Sequence, residues 1–67
     1  MKPLGNPMPL VHQARRTIRN RHEGNPFATD EVIADLIEAV GAAYLKAPSA
    51  RISRALKVEL DLLETLI

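Results

Sequence analysis

Two histidines, two serines, three clustered acids and a run of arginines are the residues of this 67-residue chain whose types and spacing could do chemistry. His12 and His22 stand ten residues apart on one expected helix, roughly 80° apart around it. They cannot share a metal as residues at i and i+4 can, and they read as solvated side chains. Ser49 and Ser53 lack the glycine elbow of a hydrolase nucleophile, and no Ser, His and acid order fits a triad, so capping and surface roles suffice for them. The glycines stand at 5, 24 and 41, which allows neither a G-x-x-x-x-G-K-[ST] nor a G-x-G-x-x-G phosphate loop. By type, Glu31, Asp35 and Glu38 could act as acid and base or ligate a cation. At spacings of four and three on a helix they repel each other by a few tenths of a kcal/mol unless something cationic faces them. No enzyme, cofactor or metal site is expected.

The arginines say more. The segment ARRTIRNR, residues 14–21, holds four arginines and an asparagine, a pattern that can pair with phosphates or enter a nucleic-acid groove. Residues 1–28 carry five Lys/Arg against one acid, and 29–67 carry four against seven, so the net charge of +1 hides a segregation. The acids at 31, 35 and 38 could face the arginines in a surface ion-pair network, which would contribute little stability. In the sharper reading, Arg15, Arg16 and Arg19 contact a partner.

Three helices must position these groups. Residues 1–9, with three prolines and a glycine, read as an extended arm, because Pro disfavours helix in the residue before it. The remaining residues, 10–67, form a single small helical domain. The first helix, about 10–23, closes at Gly24 and puts Leu10, Val11, Ala14 and Ile18 in an arc of roughly 100°, opposite His12, Arg15, Arg16 and Arg19. The second, about 30–46, is capped by Thr29 or Asp30 and stopped by Pro48, with Val32, Ile33, Leu36, Ile37, Val40, Ala43 and Tyr44 on one face. The third, about 49–67, is capped by Ser49 and carries Ile52, Ala55, Leu56, Leu60, Leu62, Leu63, Leu66 and Ile67 over an arc of roughly 160°.

A chain this short has a marginal core, and without Cys it has no disulfide or thiolate metal site to strengthen it. Helices 2 and 3 should form a hairpin whose wide faces the thin first helix covers poorly, so two copies pairing as a helical bundle are expected. Ile52, Leu56, Glu59, Leu63 and Leu66 would then form the dimer interface. Leu45 and Val58, off the main faces, should remain exposed. Glu59 falls within roughly 20° of the centre of the third helix's apolar face, where an unpaired carboxylate is costly. Arg21, or an arginine of a second subunit, is its expected partner, with a rim position as the alternative.

The stretch AAYLKAPSARISRAL, Ala42 to Leu56, resembles the helix-turn-helix of bacterial repressors, with Ala42 and Ile52 at apolar positions and Ser53, Arg54 and Leu56 reading as S-R-x-L. The resemblance covers about fifteen residues. It implies DNA binding by Ser49, Arg51, Ser53 and Arg54 from a helix in the major groove; together with the separate basic segment 15–21, segment 49–57 would form the contact regions of a DNA-binding regulator. Lys46 stands where that motif usually has Gly, and both flanking helices are longer than the motif requires. The foremost expectation is therefore a non-enzymatic regulator that binds a larger protein as an adaptor or antagonist, with DNA binding as the alternative. No apolar run is long enough for a membrane span and no secretory signal is visible, so the cytoplasm is the expected location. Small helical proteins of this kind are frequent among bacterial and phage accessory regulators.

Overall fold

A computed structural model describes residues 8–67, which form three helices: α1 (Met8–His22), α2 (Asp30–Leu45) and α3 (Ala50–Glu64). Residues 1–7 of the expected arm lie outside the described residues. Met8 and Pro9 belong to α1, so that helix starts two residues earlier than its sequence suggests. Pro is tolerated in a first turn, where a backbone N–H has no intrahelical partner.

Each boundary has a local cause. Gly24 adopts φ 78°, and a Schellman cap closes α1 through Asn25 N–H to Asn20 O at 2.9 Å and Gly24 N–H to Arg21 O at 3.1 Å. Pro26 then lies in a turn closed by Ala28 N–H to Asn25 O (3.1 Å), while the Asn25 side chain accepts from Phe27 N–H at 2.9 Å. Thr29 caps α2 by accepting from Val32 N–H, and Ser49 caps α3 by accepting from Ile52 N–H, both at 3.2 Å. At the end of α2 the chain tightens, with Lys46 N–H on Ala43 O (3.2 Å) and Ala47 N–H on Tyr44 O (3.3 Å). Lys46 has φ −110°, so a turn without glycine fits here. Helix α3 stops at Glu64, three residues before the terminus. There the Thr65 hydroxyl donates to Leu62 O at 2.6 Å and satisfies a carbonyl of the last turn.

The helices close on one core of Val11, Ala14 and Ile18 from α1, Ile33, Leu36 and Val40 from α2, and Leu56 and Leu63 from α3. Val11, Ile33, Val40, Leu56 and Leu63 are wholly buried, each contributing about 1.5–3 kcal/mol of transfer free energy. Met8 lies in one groove with Ile52 and Ala55, and Arg15 bonds to Glu59, 44 residues on, so α1 and α3 run in the same direction. The turn at 46–49 sends α3 back along α2 as the expected hairpin.

The thin stripe of α1 suffices to cover the centre of the hairpin. Leu56, Glu59 and Leu63, expected against a second copy, are already buried within one chain, and Ile52 and Leu66 are partly buried. Exposed apolar area lies elsewhere: Leu45 is 83% exposed and Val58 50%, as their places off the main faces suggest, and Phe27, Leu62 and Ile67 are exposed as well.

Candidate binding site on α1

Helix α1 carries four arginines and no acid, and α2 carries four acids and no Lys or Arg. The expected ion-pair network between them reduces to one contact. Arg21 joins Asp30 through Nη2 and donates from Nη1 to the carbonyl of Ala28 at 2.7 Å, stapling the α1–α2 connection. Expectation and structure differ on Arg21. It does not pair with Glu59, because its position at the last turn of α1 puts it within reach of the start of α2 instead.

Glu59 pairs with Arg15, whose Nε lies 3.1 Å from Oε2. The carboxylate is 3% exposed while the Arg15 side chain is 54% exposed, so the bond runs from the interior to the surface between α1 and α3. The rim alternative for Glu59 is likewise set aside, since it is buried beside Leu56 and Leu63 on α3. Its second oxygen, Oε1, is buried without a hydrogen-bond partner. An orphaned oxygen of this kind is costly, so the pair is a weak source of stability. Arg15 donates only through Nε among the described residues, which leaves the Nη1 and Nη2 edge of its guanidinium free.

Arg15 also lines an open groove of about 600 Å³ together with His12, Arg16, Arg19, Asn20 and Glu23. These residues recur at three- and four-residue spacings, which puts them on one outer face of α1. Arg16 and Arg19 are exposed and, among the described residues, form no ion pair, even though Glu23 is one turn beyond Arg19. Glu31, Asp35 and Glu38 on α2 are equally exposed and, among the described residues, unpaired. Sequence reasoning singled out Arg15, Arg16 and Arg19, and the structure places them around one concavity. It missed the hold of Glu59 on Arg15. Arg15 flanks the buried stripe, four residues after Val11 and three before Ile18, which makes it a candidate for Glu59 without choosing it over Arg21.

The residues singled out by the helix-turn-helix resemblance are placed differently. Ser49 spends its hydroxyl on the α3 cap and Ser53 is half-buried, while Arg51 and Arg54 are exposed. Elsewhere on α3, Lys57 pairs with Asp61 one turn on at 2.8 Å. The hydrogen bond to Asp61, and then its charge, hold the Lys57 ammonium above the usual lysine range. Among the described residues no three His, Asp or Glu side chains gather as a metal site requires, and no helix is long and apolar enough to cross a membrane. No family model matches this chain, and neither a curated protein nor a solved structure matches it.

Proposed function

We propose that this chain is a small, non-enzymatic regulatory protein of the cytoplasm that docks on an acidic surface of a larger protein through the outer face of α1. The observation that carries the reading is the set of exposed, unpaired Arg16 and Arg19 beside Arg15 in one concavity. Arg15 and Arg21 hold contacts within the fold, but Arg16 and Arg19 form no ion pair among the described residues, and exposed pairs would contribute only about 0–1 kcal/mol in any case, so stability does not explain these two. The acids of the same molecule leave them unneutralised, which keeps their charge available to steer and orient a partner.

Binding to DNA draws less support from the same geometry. Of its four candidate residues, Ser49 is engaged in the α3 cap and Ser53 is half-buried, and the acidic face of α2 would repel a phosphate backbone. Self-association accords with this fold through the exposed Val58 and Leu62 of α3 rather than through the covered Leu56 and Leu63.

The test captures partners from lysate with the full chain and with the Arg16→Glu/Arg19→Glu variant, alongside a mobility shift on duplex DNA at low salt. The proposal expects a captured protein that is lost on charge reversal, and no DNA shift. A salt-sensitive DNA shift that disappears with the same substitutions would overturn it in favour of nucleic acid.

A further inference from the structure

We propose that Glu59 is a positioning residue that turns Arg15 into a fork for a carboxylate of the partner, a reading that rests on the α1 face being the binding surface. A guanidinium offers five N–H donors in a fixed plane. Glu59 takes the Nε–H with Oε2 at 3.1 Å, from a position inside the fold where the carboxylate is 3% exposed. This grips the inner edge of the plane. The outer edge, Nη1 and Nη2, has no partner among the described residues and belongs to a side chain that is 54% exposed in the α1 groove.

Two parallel N–H donors held in one plane match the two oxygens of a carboxylate, and a held fork loses less rotamer freedom on binding than a free arginine does. Arg16 and Arg19 lack such a clamp, so they supply field and secondary contacts while Arg15 fixes orientation. The arrangement also gives the buried carboxylate a role that stability does not explain, since its Oε1 has no partner. The favoured ligand is an aspartate or glutamate side chain presented by a protein, because the groove is open to solvent and does not enclose a small anion.

The sign of one substitution separates this inference from simple electrostatics. Removing the negative charge of Glu59 makes the groove more positive, so a plain Coulomb field predicts tighter anion binding. Loss of the clamp predicts weaker binding. The experiment titrates the full chain with an N-acetylated hexaglutamate peptide, and separately with inorganic phosphate and duplex DNA, following the guanidinium Nε–H resonances by NMR. In the parent protein the peptide should shift the Arg15 resonance saturably. Glu59→Leu should weaken peptide binding roughly tenfold while helicity is kept, and Arg15→Lys, which keeps the charge but not the fork, should weaken it comparably.

Unchanged or tighter peptide binding by Glu59→Leu, with loss on Arg16→Glu/Arg19→Glu, overturns the clamp and leaves the α1 face standing. Loss of neither overturns both. Stronger response to phosphate or DNA than to the peptide overturns the carboxylate assignment. Should Glu59→Leu fail to fold, Arg15→Lys decides alone, and parent-like binding by it refutes the fork.

Discussion

Cutting the Arg15–Glu59 pair from its two ends should give opposite results. The carboxylate is 3% exposed and keeps one orphaned oxygen, whereas its partner is 54% exposed. Arg15→Ala leaves the buried carboxylate with no cation. For a pair buried at both ends that costs about 3–5 kcal/mol, but water already reaches Arg15, so the expected loss is nearer that of one charged hydrogen bond, about 1.5–3 kcal/mol. Glu59→Leu instead removes the desolvated charge and its orphaned oxygen together and puts apolar volume beside Leu56 and Leu63. It should be neutral or stabilising by about 1–2 kcal/mol. The double variant should behave like Glu59→Leu, since Arg15 then has nothing to neutralise. Urea denaturation followed by circular dichroism reads all three. With m near about 1 kcal/mol per M for a small domain, the midpoints of the two single variants should separate by at least about 1.5 M. A stable Arg15→Ala together with a destabilised Glu59→Leu would refute the reasoning, because Glu59 would then be held by something other than Arg15.

Arg16→Glu/Arg19→Glu should change stability by less than about 1 kcal/mol, checked by the same denaturation, because neither side chain has a partner to lose. Leu56→Ala or Leu63→Ala should each cost about 2–5 kcal/mol by a route internal to one chain, so the loss should not vary with protein concentration. Gly24→Ala should cost about 1 kcal/mol although its Cβ meets nothing within 4 Å, because φ 78° is unfavourable for an L side chain; the melting temperature reports it. Since Asp61 raises the Lys57 pKa, the stability that Lys57 gains is present below the ordinary lysine value and fades as pH rises through the raised one. Asp61→Asn should return the Lys57 titration, read by NMR, toward the ordinary value and leave stability at neutral pH little changed.

The three helices were legible because the local signals agreed with one another: Gly24 ended the first, Thr29 and Ser49 opened the others, and apolar residues recurred at helical spacing in all three. Stripe width was a poorer guide. Ile52, Leu56, Glu59, Leu63 and Leu66 span a face too broad for one neighbour, yet two neighbours from the same chain bury Leu56, Glu59 and Leu63. A helix wheel shows how much surface needs cover but not which helix supplies it. The partner of Glu59 was misassigned for a related reason. Whether Arg15 or Arg21 reaches it depends on the register of α1 against α3, a tertiary quantity fixed by Met8 lying near Ile52 and Ala55, and no local pattern encodes it. Arg15, Arg16 and Arg19 were legible as a group because an uninterrupted cationic face needs only helical geometry to assemble it.

A photo-crosslinking amino acid placed in turn at positions 16, 19, 57 and 64 of the full chain, and activated inside cells, asks whether the outer face of α1 docks on an acidic protein. Positions 16 and 19 are on the outer face of α1, and 57 and 64 are exposed on α3. One protein should be trapped from 16 and 19 and not from 57 or 64, and its crosslinked segment should be acidic. Crosslinks to nucleic acid from 16 and 19, or the same protein trapped equally from all four positions, would contradict this docking.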